Sequence, residues 1–305
     1  MLTGLDKIIL ILTIAGFIIG LSGNVFIGLV NCSEWVKNRK VSLADFIITC
    51  LAISRISNLL VSMSSSYILE LSSHLSTIYE VRKSTFTFWR ITNHLTTWLA
   101  TCLSIFYFLK IAHFSHSLFL WLKWRTNRVV LALLVFSSFS LIFDFLLLKS
   151  FTDLSLNTSK TDKSNLTLHK SKISYIKNLT LLSLNYFVPL ALSLISLLLL
   201  FLSLMRHTRN LQLNSVGAGD PTTEAHRRAM KMVMSFLLLF IIHFLCTEVA
   251  MWVCFIFSNN EYINFVMLTF YLFPSGHSFI LIVGNNRLRQ TALRILWHLK
   301  SHLQR

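Results

Sequence analysis

Charged residues, prolines and glycines are all scarce in this sequence. Of its 305 residues, 13% are charged, three are proline and nine are glycine. A soluble domain of this length would need more polar surface, and a collagen-like or disordered chain would need more proline and glycine. Hydrophobic residues instead make up 54% of the chain, so we infer a polytopic membrane protein.

Cysteines are also few, and their spacing forms no recognisable site. The five are Cys32, Cys50, Cys102, Cys246 and Cys254. None forms a C-x-x-C pair, and none lies in a segment expected to face the cell exterior, so a disulfide framework and a zinc site are unexpected. The sequence also has no phosphate-binding loop and no clear Ser-His-Asp arrangement. We therefore expect no enzyme activity, no metal and no cofactor.

Seven apolar runs are long enough to cross a bilayer, whose hydrocarbon core requires about 20 apolar residues per helix. They cover residues 8–30, 46–69, 86–109, 129–149, 179–205, 232–257 and 263–284. The sequence therefore predicts an all-α membrane protein, a seven-helix bundle over residues 1–284. The first run is too long for a signal-peptide core and no small-residue cleavage site follows it, so we expect it to remain.

The basic residues indicate how this bundle is oriented. The formal net charge is +16, but the basic residues lie between apolar runs, which favours contact with lipid headgroups over nucleic acid. If the N-terminus is outside, 17 Lys and Arg fall on cytoplasmic segments and nine fall outside. Six of those nine belong to one long loop at about 150–178, where the rule is weak. We predict an extracellular N-terminus, a cytoplasmic loop at about 206–231 and a cytoplasmic C-terminus.

Potential glycosylation sites support the same orientation. Asn157, Asn165 and Asn178 each begin an N-x-S/T sequon in the polar loop at 150–178. A fourth match at Asn31 falls on the cytoplasmic side and is attributed to chance. Asn165, in the middle of the loop, is the best acceptor, and we expect a plasma-membrane glycoprotein.

Residues 285–305 predict a short amphipathic helix. Leu288, Ile295 and Leu296 share an apolar stripe, while Arg287 and Arg294 lie on another face. Such a helix lies on the membrane surface with its arginines towards anionic headgroups. An ordinary basic tail would explain the charges but not the apolar stripe.

Polar residues within the spans are costly and need partners. Arg55 lies midway along the second span, and the polar residues expected at its depth are Asn24 in the first span and Ser278 in the seventh. These three could form a purely structural clamp or one that changes between two states.

A second polar group lies in the third span. Trp89 and Asn93 share a helical face, and His94 follows directly. A few polar groups among aromatic walls are typical of a small-molecule pocket. Interfacial tryptophans with structurally satisfied polar groups are the alternative.

Two acidic residues are harder to interpret. Glu248, in the outer half of the sixth span, could meet a cationic ligand, Arg90 or only water. Asp144, near the outer end of the fourth span, is interpreted as a solvated residue at a helix end.

Several segments in this order resemble the type 2 taste receptors, which are G-protein-coupled bitter receptors. The resemblance covers essentially the whole chain. It rests on "GNVFIGLVNCSEW" (23–35), "LAISR" (51–55), "WLATCLSIFYFLKIAHFS" (98–115), "EAHRRAMKMVMSFLLLF" (224–240) and "HSFILIVGNNRLRQ" (277–290). Any one of these segments alone would be weak evidence for the family.

The resemblance implies that small bitter agonists bind from the outside and that a heterotrimeric G protein of the gustducin type is activated. The resemblance matches Trp89, Asn93 and His94 to the family's ligand positions on the third helix, and Phe240, Glu248, Met267 and Phe270 are expected as further pocket residues. The residues expected to take part in activation are Asn24, Arg55, Tyr107, Lys110, His277 and Ser278. Membrane lipids are expected as further partners, and assembly into a homo- or hetero-oligomer stays open.

The sequence departs from the family's usual pattern at two of these regions. Leu190 follows Pro189 where the family commonly has phenylalanine, and Phe240 replaces a common tyrosine, which removes a hydroxyl from the sixth helix.

A seven-helix ligand-gated channel or transporter is the alternative function. A channel would need a polar helix face lining a pore, whereas the polar residues here are scattered.

Overall fold

The computed structural model describes residues 4–39, 41–70, 75–159, 167–214, 231–246, 249 and 263–303. These residues are almost entirely helical and contain no strand. The helices are α1 (Gly4–Asn38), α2 (Leu43–Glu70), α3 (Leu75–Ile111), α4 (Ser117–Trp124), α5 (Thr126–Ser159), α6 (Thr167–Asn214), α7 (Lys231–Cys246), α8 (Ile263–Gly284) and α9 (Asn286–Leu303).

Six of the predicted spans lie within α1, α2, α3, α5, α6 and α8, residues 232–246 of the sixth span lie within α7, and the predicted fold class is confirmed. Five helices, α1, α2, α3, α5 and α6, contain stretches long and apolar enough to cross a membrane. The described parts of α7 and of the end of α8 are apolar but shorter. The seventh predicted span, 263–284, has the same bounds as α8.

Several helices extend well beyond the spans predicted for them, and α3 begins at Leu75, before the predicted start at 86. α5 continues to Ser159, and α6 runs from Thr167 to Asn214, so both enter the segment at 150–178 that was expected to be a loop. Hydropathy marks only the part of a helix that lies in lipid, and no glycine or proline occurs from 126 to 188 to end either helix.

The short helix α4 was not predicted. It begins after His116, whose Nδ1 accepts the backbone N–H of Leu118 at 3.2 Å. Lys123 Nζ donates to the carbonyl of Ala112 at 2.8 Å, which caps the end of the preceding helix. Phe119 is buried against the Phe108 ring at 5.3 Å between centroids. α4 therefore closes the cytoplasmic end of α3 in the proposed orientation.

α3 lies at the centre of the bundle and packs against α2, α5 and α6, while α1 packs against α2 and α8. Polar side chains such as Asn24, Arg55 and Thr101 are fully buried in the interior. Large apolar side chains face outward, among them Leu29 and Phe139, which are 67% and 66% exposed. This inside-out distribution is typical of a protein surrounded by lipid.

Small residues allow α1 and α8 to approach closely. Ser275 Oγ donates to the carbonyl of Gly16 at 2.7 Å across the interface. A Cβ on Gly20 would lie 2.5 Å from Ser275 Oγ, so a larger residue there would push the helices apart. Close contact between small residues is how membrane helices gain packing energy.

The C-terminal helix α9 agrees with the helix predicted over 285–305. Asn285 Oδ1 accepts the N–H groups of Arg287 and Leu288 at 3.0 and 3.3 Å and caps its first turn. Leu288 is buried under the bundle, whereas Leu296 and Trp297 are exposed. The exposed apolar side chains provide a surface suited to the membrane interface.

Candidate functional site

The buried cluster around Arg55 brings together the three residues expected from sequence. Arg55 Nη1 donates to Ser278 Oγ at 3.3 Å, and Ser278 Oγ lies 2.8 Å from Asn24 Oδ1. Ser278 Oγ is also 2.6 Å from the carbonyl of Pro274, and Asn24 Nδ2 donates to the carbonyl of Gly20 at 2.7 Å. Ser278 thus links α8 to both α1 and α2.

Aromatic rings continue from this cluster towards α7. The guanidinium of Arg55 lies over the Phe273 ring at 5.5 Å from its centroid. Phe273 stacks on the His243 ring at 4.3 Å, and His277 lies 4.5 Å from the Phe236 ring. His277 is therefore placed beside the Arg55 cluster but contacts α7. A shift of α7 would have to break these ring contacts.

A small cavity of about 40 Å³ lies directly beside this cluster. Its lining residues come from α2, α3, α6, α7 and α8: Asn58, Trp89, Asn93, Thr96, Thr97, Tyr186, Leu190, Phe240, His243, Phe244, Phe273 and Pro274. Phe273 and Pro274 belong both to this wall and to the surroundings of Arg55.

Asn93 is the centre of the polar side of the cavity. Its Nδ2 donates to the hydroxyl of Tyr186, and its Oδ1 accepts from Asn58 Nδ2 at 3.3 Å. Ser62 Oγ in turn donates to Asn58 Oδ1 at 3.4 Å. These groups are amides and hydroxyls, so this side offers neutral hydrogen bonds to a ligand.

Aromatic and aliphatic side chains form the rest of the wall. Trp89 is nearly buried and stacks on Phe86 at 5.9 Å. Phe240 meets Phe273 edge to face at 5.7 Å, and both pack with Leu190. Among the described lining residues none carries a formal charge, apart from the titratable ring of His243. The cavity is therefore suited to a neutral, largely aromatic molecule.

His94 differs in position from the other two residues predicted on α3. It is buried, its Nε2 lies 2.9 Å from the carbonyl of Ser137, and its Nδ1 lies 3.3 Å from Asn185 Nδ2. It does not line the described part of the cavity. One residue along a helix turns the side chain by about 100°, which directs His94 towards α5 and α6 when Asn93 faces the cavity.

The interpretation of Asp144 as a solvated residue at a helix end is wrong. Asp144 is only 4% exposed and forms a two-point ion pair with Arg90, in which Nε and Oδ2 are 2.5 Å apart. Arg90 is 1% exposed and thus engages Asp144, whereas it was considered above as a partner for Glu248. The sequence contained a signal for this ion pair. Arg90 and Asp144 are opposite charges at similar depth in neighbouring spans, and a buried charge needs a counter-ion.

A second ion pair, also missed from sequence, ties the tail helix to the bundle. Arg287 Nη2 lies 2.6 Å from Asp45 Oδ1 and 2.6 Å from Asn31 Oδ1. Asn31 Nδ2 donates to Thr49 Oγ1 at 3.0 Å. These contacts join α9 to α1 and α2.

Tyr107 and Lys110 lie near the same end of the bundle, at the end of α3. The Tyr107 ring meets Phe106 edge to face at 6.0 Å, and Lys110 Nζ lies over the Phe106 ring at 5.9 Å. Lys110 is exposed and Tyr107 half-buried. This part of α3 therefore presents a cation and a phenol at the surface.

Some predicted sites lie outside the described residues. Glu248 and Asn165 are among them, and the side chains of Met267, Phe270, Asn157 and Asn178 are not described although their backbones are helical. Within the described ranges, no group of three metal-ligating side chains comes together.

Comparison with known proteins gives one consistent family. The family model described as "Taste receptor protein (TAS2R)" matches residues 1–300. Taste receptor type 2 member 42 from Pan troglodytes is 61% identical over 309 residues, covering 99% of this chain and 97% of the relative. Its Homo sapiens counterpart is 61% identical over 308 residues, with coverage of 99% and 97%. Taste receptor type 2 member 7 from Papio hamadryas is 41% identical over 308 residues, covering 98% and 96%.

Proposed function

Because the chain belongs to the taste receptor protein (TAS2R) family of bitter receptors, we propose that it binds small tastants in the central cavity and activates a heterotrimeric G protein. The family is a class of seven-helix membrane receptors and not of enzymes. The G protein proposed for this chain is of the gustducin type.

The composition of the cavity is the observation that carries this proposal. Asn93 and Tyr186 offer neutral hydrogen bonds on one side, and Trp89, Phe240 and Phe273 offer aromatic surface on the other. Such a combination favours a neutral or weakly polar ring compound. Glu248, Met267 and Phe270 are proposed as further contacts, and an inward Glu248 would extend the preference to cationic agonists.

The Arg55 cluster is proposed as the element that responds to the agonist. Phe273 lines the cavity and also lies under the Arg55 guanidinium, so a ligand that displaces Phe273 alters the contacts among α2, α7 and α8. An agonist must bind the active arrangement more tightly than the resting one, because equal affinity would shift neither population. Displacement of α7 would then open a cytoplasmic cleft beside Tyr107 and Lys110.

The receptor is proposed to lie in the plasma membrane with its N-terminus outside. This orientation places the cavity towards the extracellular side and places α4, α9 and the end of α3 in the cytoplasm. It also places the larger share of basic residues inside, as expected for cytoplasmic loops.

The experiment that tests the function separates receptor from channel. The full chain is expressed in cells with or without the matched G protein, a panel of bitter compounds is applied, and calcium release and membrane current are recorded. We expect calcium release that depends on the G protein. An agonist-evoked current that persists without any G protein would favour the channel and overturn the receptor proposal.

A further inference from the structure

A second cavity opens on the outer surface of the bundle, between α5 and α6. It has a volume of about 250 Å³, and two of its lining residues, Asn185 and Asp144, contact His94 and Arg90 of α3. Its lining residues are Phe136, Ser140, Phe143, Asp144, Leu147, Asn185 and Val188. We call it the α5–α6 crevice.

The walls of the α5–α6 crevice face the surroundings of the bundle. Phe136, Phe143 and Val188 are 52%, 62% and 42% exposed, and each lies in a stretch of helix suited to cross the membrane. A ligand of the crevice would therefore enter from the lipid and not from water, and its body would have to be apolar.

The floor of the crevice is polar, and hydrogen bonds connect its side chains. Ser140 Oγ donates to Asn185 Oδ1 at 3.1 Å, and Asn185 Nδ2 lies 3.3 Å from His94 Nδ1. Asp144 reaches the same floor, with its charge compensated by Arg90. A charged ligand would find no unpaired counter-charge there, whereas a hydroxyl could use the remaining donor and acceptor capacity of these groups.

The depth of the floor restricts the ligand further. Asp144 lies 18 residues after the start of α5 at Thr126, which is about 27 Å along a helix, close to the far boundary of a hydrocarbon core about 30 Å thick. Phe136 lies eight residues earlier, about 12 Å nearer the bilayer centre. The crevice thus extends from an apolar centre to a polar floor near the boundary.

From this geometry we propose that the α5–α6 crevice binds a membrane sterol, with its hydroxyl at the Ser140–Asn185–Asp144 floor and its rings against Phe136, Phe143 and Val188. A sterol is a neutral, rigid, apolar molecule with one hydroxyl at the membrane boundary. Its apolar rings match the lipid-facing opening of the crevice, and its hydroxyl matches the polar floor at the depth of the membrane boundary. Its rigid rings also lose little conformational entropy on binding. This site is additional to the proposed tastant cavity and does not depend on it.

The test uses the full-length receptor in phosphatidylcholine nanodiscs with a photoreactive cholesterol that carries a diazirine on its ring system. Cross-linked peptides are identified by mass spectrometry. We expect labelling concentrated on 136–147 and 185–188. Even labelling of all lipid-facing helices would mean bulk lipid contact only and would overturn the proposal.

Three variants and one competition sharpen the test. Val188→Trp fills the crevice and should abolish the concentrated labelling, whereas Phe187→Trp, on the neighbouring lipid-facing side chain outside the lining, should preserve it. Ser140→Ala should weaken labelling about fivefold through loss of a hydrogen bond at the floor.

On the unaltered receptor, unlabelled cholesterol should compete at a concentration about fivefold lower than cholestane, which lacks the hydroxyl. Because this competition uses the unaltered receptor, its result does not depend on whether a variant folds. Equal competition by the two compounds would overturn the assignment of the floor as a hydroxyl site.

Discussion

Arg90 and Asp144 are the residues for which burial has the clearest energetic consequence. Their ion pair is almost fully buried between α3 and α5. Asp144→Asn removes one charge and leaves the other buried, which typically costs about 3–5 kcal/mol. We expect a large fall in the melting temperature of the purified receptor, measured by the loss of monomer on size-exclusion chromatography after heating.

The control for that prediction replaces both partners. The double variant Arg90→Met with Asp144→Leu removes both charges and fills the site with apolar side chains, which is commonly neutral or stabilising for buried pairs. We expect its melting temperature to recover most of the loss. If the double variant is as unstable as Asp144→Asn alone, the pair is not what the single substitution disrupts.

Asn93 is the residue on which the proposed agonist site depends most. Asn93→Ala removes the amide that contacts Asn58 and Tyr186 at the cavity wall. A lost hydrogen bond to the ligand should raise the half-maximal agonist concentration about fivefold, read from calcium release with a compound found in the screen. Surface expression should stay unchanged.

Thr92→Ala is the matched control, since Thr92 bonds only to carbonyls of its own helix and does not line the cavity. Its potency should equal that of the unaltered receptor. A parallel fall of surface expression and potency in Asn93→Ala would instead make Asn93 a packing residue.

Among the elements, α9 is attached to the bundle by the buried Leu288, by the hydrogen bond from Arg287 to Asn31 and by a partly exposed ion pair. Arg287 and Asp45 are 33% and 19% exposed, so their contact should contribute only about 1 kcal/mol. Arg287→Ala should therefore loosen α9 without unfolding the receptor. We expect faster amide hydrogen exchange in the first turns of α9, measured by mass spectrometry.

Arg294→Ala is the comparison on the same helix, because Arg294 is exposed. It should leave exchange in α9 nearly unchanged. Equal acceleration by both substitutions would show that α9 responds to loss of positive charge near the lipid and not to loss of the contact with Asp45.

The positions of the helices could be predicted from sequence because lipid requires long apolar segments, and residues 263–284 show how closely hydropathy can delimit one. The helix ends that lie outside the lipid could not be predicted, because the hydropathy of residues 150–159 and 167–178 does not distinguish a polar helix from a loop. α4 was missed for a related reason. Its stability rests on packing of Phe119 and a cap from His116, which are tertiary and local contacts without a periodic signal.

The candidate site was predictable where a polar residue stood alone in an apolar span. Arg55, Asn24 and Ser278 were identified in this way and do meet in the fold. Tyr186 was not identified because a tyrosine near a span end is common and carries no such signal, and Asn58, three residues after Arg55 in the second span, was passed over. Asp144 was misread because it was interpreted alone and was not paired with Arg90, the opposite charge at similar depth in the neighbouring span.

At the scale of the whole molecule, the net charge of +16 has a membrane explanation. The described interior holds neutral polar groups, the Arg55 guanidinium and the compensated Arg90–Asp144 ion pair, and the exterior holds large apolar side chains. The remaining basic residues lie on segments beyond the lipid-crossing parts of the helices. Their uneven distribution between the two ends orients the molecule, and a covalent mark on one end can test that orientation.

Glycosylation provides that mark. Asn165 lies in the segment proposed to be extracellular, whereas the sequon at Asn31 lies at the end proposed to be cytoplasmic. Only sequons exposed to the lumen during synthesis are modified, so Asn165→Gln should remove a mobility shift that is sensitive to N-glycosidase on a gel. Ser33→Ala, which destroys the sequon at Asn31 but keeps the asparagine in its contacts with Thr49 and Arg287, should leave that shift intact. Loss of the shift in Ser33→Ala and its retention in Asn165→Gln would invert the proposed topology and place the central cavity towards the cytoplasm.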